Sequence, residues 1–176
     1  MALLRGHGCG EIKLLMLTSV VAMVMCNAGA MAQTFSRAEV NGFLQPQNAA
    51  RAQLGLRPLQ WDSRLANYAQ WWARQRKVYG DCRLQHSGGP YGENIFWGSG
   101  KAWQPTEAAN AWVGERRWYR YYSNSCAYYN SCGHYTQVVW RGTTRVGCAR
   151  SVCNDGNVFM TCNYYPAGNW VGQRPY

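Results

Sequence analysis

Two histidines, His86 and His134, and two glutamates, Glu93 and Glu115, are the residues of this chain best suited to do chemistry. Histidine changes charge near neutral pH and is a common metal ligand. His86 opens His86-Ser87-Gly88-Gly89-Pro90-Tyr91-Gly92-Glu93-Asn94, where a Gly-Gly-Pro turn lets the chain fold back and set His86 beside Glu93. Gly92 permits a close backbone approach next to that glutamate. His134 lies in Cys132-Gly133-His134-Tyr135-Thr136-Gln137-Val138-Val139-Trp140. Glu115 falls in a run where Ala108, Ala111, Trp112, Trp118, Tyr119 and Tyr122 recur on one side of a helix. A carboxylate centred on such a face is costly unless it is paired or coordinated. The four groups are therefore expected to converge on one cleft, with the two imidazoles held towards one another. The competing readings are a rim salt bridge from Glu115 to Arg116 or Arg117, and a hydrogen-bonded core role for His134.

Two imidazoles and two carboxylates suit zinc or another divalent cation, bound weakly and not required. The metal-ligand set would be His86 and His134, joined by Glu93 and Glu115. The spacing matches no H-E-x-x-H motif, so it supports a metal only weakly. Nucleophilic catalysis has little to work with. Ser87 beside His86 is the one serine worth considering, and no G-x-S-x-G elbow occurs. No catalytic residue is assigned on this basis, and a hydrolase or protease using the cleft would rely on a metal-activated water.

The elements that must position these residues begin after a targeting segment. Arg5 and Lys13 precede an apolar run from Leu14 to Met25, and Ala30-Met31-Ala32 follows. This is the pattern of a cleaved secretory signal over 1–32, with the mature chain starting at Gln33. The run is shorter than the roughly 20 apolar residues of a membrane span. Six cysteines remain, Cys82, Cys126, Cys132, Cys148, Cys153 and Cys162, an even count that reads as three disulfides in an exported chain. Spacing alone does not choose the pairing.

The chain carries 18 Lys and Arg against eight Asp and Glu, a net charge of +10. Removing Arg5, Lys13 and Glu11 with the signal leaves +9. Such a protein should adhere to anionic cell-wall or membrane surfaces. No nucleic-acid motif is present, which argues against that partner.

Along the chain, Ser36-Arg37-Ala38-Glu39 is a capping box opening a helix towards Leu54, stopped by Gly55. Pro46 predicts a kink or restart near Gln45. Gly55 to Trp61 reads as a loop. Asp62 or Ser63 caps a second helix through Tyr79, with Gly80 as its stop and Leu65, Tyr68, Ala69, Trp72 and Ala73 as its buried face. The pair Trp71-Trp72 suggests a carbohydrate platform, but periodicity favours Trp72 in the core with Trp71 at its edge. Gly80 to Gln104 reads as a long functional loop, and a third helix opens at Pro105. Ser123 to Gly133 reads as an ordered loop with a local disulfide, followed by a short helix. Two strands flank an Asn154-Asp155-Gly156 turn, and Pro166 to Tyr176 reads as a loop-like tail.

Several of these stretches together carry a resemblance. Gly133-His134-Tyr135-Thr136-Gln137-Val138-Val139-Trp140, Gly92-Glu93-Asn94, and Cys162-Asn163-Tyr164 with Gly168-Asn169 closely resemble the CAP superfamily of cysteine-rich secretory proteins. Within it the chain is similar to the plant pathogenesis-related proteins of class one, in their basic form, from about Phe35 to Tyr176. The resemblance implies an α+β fold, an α-β-α sandwich with a small antiparallel sheet between helical layers, as one domain over 33–176. It implies the disulfides Cys82–Cys153, Cys126–Cys132 and Cys148–Cys162. It maps the family's cleft tetrad onto His86, Glu93, Glu115 and His134. It implies a monomeric defence protein, secreted to the apoplast or held in the vacuole, with antimicrobial and antifungal action through a sterol or lipid of pathogen membranes.

The aromatic loop Phe96 to Trp103, with Phe96, Trp97 and Trp103, resembles the family's segment implicated in sterol contact. The tail Pro166 to Tyr176 resembles a releasable defence-signalling peptide, which makes a signalling precursor a third reading. Two departures stand out. The family's His-Asn-x-x-Arg reads Gln47-Asn48-Ala49-Ala50-Arg51 here, which puts a local helix contact in doubt. Tyr165 stands where relatives often carry an acidic residue, which weakens the peptide-release reading.

Overall fold

The structure is a computed structural model that describes residues 35–80 and 82–176. The expected signal segment 1–32 and the expected cleavage point before Gln33 lie outside the described residues. In chain order the elements are α1 (Arg37–Ala52), β1 (Gln60–Trp61), α2 (Ser63–Tyr79), β2 (Gly92–Gly98), α3 (Pro105–Gly114), a 3-10 turn (Glu115–Trp118), β3 (Tyr119–Arg120), β4 (Ser125–Cys126), α4 (Gly133–Val138), β5 (Arg145–Val152) and β6 (Val158–Tyr165).

The helix ends follow their local signals. The Ser36 hydroxyl accepts from the Glu39 N–H at 3.2 Å and donates to the Glu39 carboxylate at 2.7 Å. Asp62 caps α2 by accepting from the Arg64 N–H at 2.9 Å, and Gly80 ends it. Gly55, at φ +66°, lets the Leu56 N–H reach back to the Arg51 carbonyl at 3.0 Å. The expected restart at Pro46 does not occur, because α1 runs through it. Its buried face of Phe43, Gln47, Ala50 and Arg51 is held from outside the helix, and those tertiary contacts outweigh one missing N–H.

The main sheet has the order β1-β5-β6-β2. β5, β6 and β2 are antiparallel, while the short β1 adds a parallel edge to β5. Strand β6 is covered on both faces, and its alternation defines the layers. Val158, Met160, Cys162 and Tyr164 join Phe43, Ala108, Trp112 and Val138 from α1, α3 and α4 in the larger core. Phe159 joins Ala69 and Ala73 of α2, with Ile95 and Ala149, in the smaller one. This is the α-β-α sandwich that the resemblance implies. The approach of α2 is close because β5 carries Gly147, where an added Cβ would fall 2.1 Å from the Ala66 nitrogen.

Three stretches depart from the sequence reading. The stretch 55–61 contains β1, and the supposed loop from Gly80 to Gln104 contains the seven-residue β2. The third helix stops at Gly114 rather than continuing to Tyr122, and Ala111 and Tyr122 are exposed. The aromatics beyond it spaced like a helical face but have other partners. Tyr119 lies near Tyr135 and Tyr176, and Tyr121 stacks on Tyr176 at 5.2 Å.

The disulfides join Cys82 to Cys153, Cys126 to Cys132 and Cys148 to Cys162. The last links residues directly opposite on β5 and β6. The tail from Pro166 is irregular but anchored. The Pro175 carbonyl accepts from the Arg141 N–H at 2.6 Å, and the Gln173 carbonyl accepts from Asn124 Nδ2 at 2.9 Å.

Candidate functional site

His86 and Glu93 meet as the turn suggests. Gly88 adopts φ +68°, and the chain returns so that His86 Nδ1 lies 2.7 Å from Glu93 Oε1. The Ser87 N–H donates to the same oxygen at 2.9 Å, while the Ser87 hydroxyl accepts from the Gly89 N–H. Ser87 is thus part of the turn and makes no hydrogen bond to His86 that would activate it. Glu93 sits in β2 with its side chain 6% exposed, and its Oε2 is buried without a hydrogen-bond partner. Across the ladder from it, the Asn163 amide is buried and equally unpartnered.

The hydrogen bond to Glu93 raises the His86 pKa above its ordinary value of 6.5, burial opposes this, and the glutamate's charge adds to the rise. A raised folded pKa means that the pair's contribution to stability is complete below about pH 6.5 and is lost as pH rises through the folded value. The ring is 59% exposed, so solvent screens the effect. The stability difference between wild type and His86→Gln should therefore be largest in mild acid and shrink as pH rises through the raised folded value. Urea unfolding across that range checks this, and a difference independent of pH would contradict it.

The second pair is built differently from the helical face the sequence suggested. Glu115 stands at the end of α3, on the 3-10 turn, where it serves the first turn of α4. Cys132 provides no side-chain cap there. Glu115 Oε2 instead accepts from the His134 N–H at 3.0 Å and the Tyr135 N–H at 3.3 Å, and Oε1 lies 2.6 Å from His134 Nδ1. A carboxylate from a distant segment thus satisfies the orphan donors of a short helix and matches its dipole. The neighbouring arginines have other partners. Arg116 donates to Gln53, and Arg117 lies over the Trp118 ring.

A carboxylate only accepts hydrogen bonds, so Nδ1 of each ring is the donor. Each neutral imidazole then carries its lone pair on Nε2. The structure pairs the four residues two by two. Among the described residues, no group of three or more His, Cys, Asp or Glu is placed to hold a metal ion.

A buried network beneath the pairs escaped the sequence reading. Asn94, next to Glu93 on β2, donates through Nδ2 to the His134 carbonyl and to the Tyr164 hydroxyl, both at 3.1 Å. The Tyr164 hydroxyl donates to Gln47 Oε1 at 2.8 Å. Burial pushes its pKa upward, so it stays a donor. Gln47 therefore links α1 to the site through Tyr164 and Asn94. Arg51, four residues on, donates to the carbonyls of Val138 and Trp140 at 2.9 Å, Thr143 at 3.0 Å and Arg57 at 2.8 Å. Desolvation lowers its pKa to about 10, and the guanidinium remains charged. Gln137 of α4 donates to the Thr143 hydroxyl and accepts from the Gly168 N–H. Its carboxamide passes so close to Gly92 that an added Cβ there would lie 2.1 Å from Oε1. The available signal was polar residues on the apolar side of α1, at Gln47 and Arg51.

The aromatic segment begins in a strand rather than a loop. Phe96 and Trp97 belong to β2, paired opposite Met160 and Phe159. Phe96 and Trp103 form an edge-to-face pair at 5.4 Å, half-buried against the larger core. Trp97, 41% exposed, is the ring of the three that faces solvent most.

Comparison with known proteins agrees with this architecture. The model of the cysteine-rich secretory protein family, CAP, matches residues 44–164. A pathogenesis-related protein PR-1 from Medicago truncatula is 61% identical over 142 residues, covering 80% of this chain and 81% of that protein. The basic form of pathogenesis-related protein 1 from Nicotiana tabacum is 48% identical over 163 residues, covering 91% and 88%. The crystal structure of NaASP2 with Zn2+ superposes with a TM-score of 0.66 at 24% identity, covering 80% of this chain and 86% of that one, and shows the shared fold. With its motifs wired into one buried network and its disulfides in place, this chain belongs to the CAP family of cysteine-rich secretory proteins, among the plant pathogenesis-related proteins of class one.

Proposed function

We propose that this plant defence protein is exported to the apoplast or vacuole and acts as a monomer by binding a sterol or related lipid of a pathogen membrane, without catalytic turnover. The relatives' names support the defence role. The lipid reading rests chiefly on Trp97, an exposed indole fixed on a strand, on the sheet face opposite the half-buried Phe96–Trp103 pair. A rigid apolar ring loses little entropy on contact with a flat, rigid ligand. The cationic surface favours approach to anionic membranes and cell wall.

Trp97→Ala should weaken sterol binding by roughly tenfold with little change in thermal stability, since the ring is partly exposed. Phe96→Ala should instead destabilise the fold by about 2 kcal/mol, because that ring packs on the core. Sterol binding followed by fluorescence, with parallel melts, checks both. Unchanged binding in Trp97→Ala would remove the ring from the ligand site.

A second reading, weak binding of a divalent cation, is favoured by one observation. Both imidazoles donate Nδ1 to a glutamate and keep Nε2 as a ligand atom, the orientation in which histidine binds metals. The anchored tail gives less support to a signalling precursor, since release would have to break its contacts with Arg141 and Asn124 as well as one peptide bond.

A further inference from the structure

On the outer side of α2, four aromatic rings run in continuous contact from helix to sheet edge. Trp71 lies 5.3 Å from Tyr68, Tyr68 lies 5.2 Å from Tyr91, and Tyr91 lies 6.5 Å from Tyr165. The strip draws on three separate segments: α2, the loop before β2 and the end of β6. It is not core. Trp71 is 48% exposed and Tyr165 53%, with Tyr68 and Tyr91 half-buried between them. Adjacent rings turn by 49° to 85°, so faces are offered at intervals rather than as one plate. The structure therefore keeps Trp72 inward, as periodicity predicts, yet gives Trp71 a row of neighbours that the sequence could not show.

The far end of the strip opens into a cavity of about 260 Å³ lined by Asp62, Arg64, Leu65, Tyr91 and Tyr165. Arg64 lies one helical turn before Tyr68 on α2. Its side chain is 84% exposed, and both it and Arg145 reach the same Asp62 oxygen at 3.3 Å. Two guanidinium groups around one carboxylate leave an excess positive charge and free donor capacity at the mouth of the cavity.

We propose that this strip binds an acidic polysaccharide, a chain of uronic acid residues, with successive sugar rings on the aromatic faces and a carboxylate at Arg64 and Arg145. The centroid steps are on the scale of one pyranose ring. Aromatic side chains bring large apolar faces at low entropic cost, and the tyrosine hydroxyls add hydrogen bonding to sugar hydroxyls. Guanidinium groups supply the matching charge and bidentate geometry for a carboxylate. The strip is distinct from Trp97 and the lipid reading, so the two proposals stand or fall separately.

The test is calorimetric titration of the purified secreted protein with polygalacturonate oligomers, with neutral glucan oligomers and anionic phospholipid vesicles as further arms. Trp71→Ala and Tyr165→Ala should each weaken polygalacturonate binding roughly fivefold to tenfold. Trp71→Tyr should restore most of the loss. Arg64→Gln should weaken binding and flatten its salt dependence. Thermal melts of each variant separate lost binding from lost fold. Unchanged affinity in both ring-deletion variants would show general adhesion of a cationic protein and overturn the proposal. So would equal affinity for neutral glucan, or ring-dependent binding to the vesicles with none to the oligomers.

Discussion

Replacing Arg51 with methionine should cost about 3–4 kcal/mol of stability, more than most single changes. The guanidinium donates to four backbone carbonyls, and three of them, from Val138, Trp140 and Thr143, lie at the end of α4 and in the turn after it. Methionine fills much of the space but donates nothing. Each buried carbonyl left unpaired costs about 1–3 kcal/mol. Against this, a buried charge with no carboxylate partner is removed, which recovers part of its desolvation cost. The Trp140 carbonyl keeps the Thr143 N–H at 3.1 Å, but the Val138, Thr143 and Arg57 carbonyls lose their donor on a side chain that is itself 1% exposed, so the lost donors should win. Urea unfolding with the disulfides intact measures the difference. A loss under about 1 kcal/mol would mean that water replaces the guanidinium and that the network does not hold α4 in place.

Removal of the Glu115 carboxylate should have the second largest effect. Glu115→Ala orphans the His134 and Tyr135 N–H groups and the His134 ring nitrogen together, for an expected loss of about 2–3 kcal/mol. Glu115→Gln separates structure from chemistry. Its carbonyl oxygen can still accept the two backbone N–H groups, so the expected loss is about 1 kcal/mol or less. Its amide, however, presents N–H to His134 Nδ1, which then has to accept, and the neutral ring's proton moves to Nε2. The nitrogen freed by the carboxylate is thereby blocked. Zinc affinity should fall by about 10–100-fold even though Glu115 need not touch the ion. Nitrogen NMR of the His134 ring reads the tautomer directly, and zinc titration reads the consequence. An unchanged tautomer with unchanged zinc affinity would remove His134 from any cation site. Equal destabilisation by Ala and Gln would show that the negative charge itself holds α4.

Much of this protein was legible before any coordinates. The ends of α1 and α2 were visible because a cap is settled within about four residues: Ser36 with Glu39, Asp62 with Arg64, and Gly80 as the stop. The β5–β6 hairpin was visible for the same reason, since Asn154-Asp155-Gly156 carries its turn chemistry locally, with Gly156 at φ +82°. The histidines and glutamates stood out by type alone, and the Gly-Gly-Pro turn correctly brought His86 to Glu93.

What the tertiary structure decided has another physical origin. β2 looked like loop because its residues acquire their pattern only from pairing with β6, about 65 residues away. The end of α3 was misplaced because Trp118, Tyr119 and Tyr122 space like a helical face, and only the tail rings at Tyr176 reveal that Tyr119 and Tyr121 pack elsewhere. Glu115 was singled out for a burial cost on a helix, whereas it caps a different helix through amides 19 and 20 residues away. Arg51 and Gln47 looked like polar interruptions, and their worth lies in carbonyls and a hydroxyl up to 117 residues distant. Caps and turns are local in sequence and so can be read from it. The partner of a buried polar group is set by packing, which only the folded chain supplies.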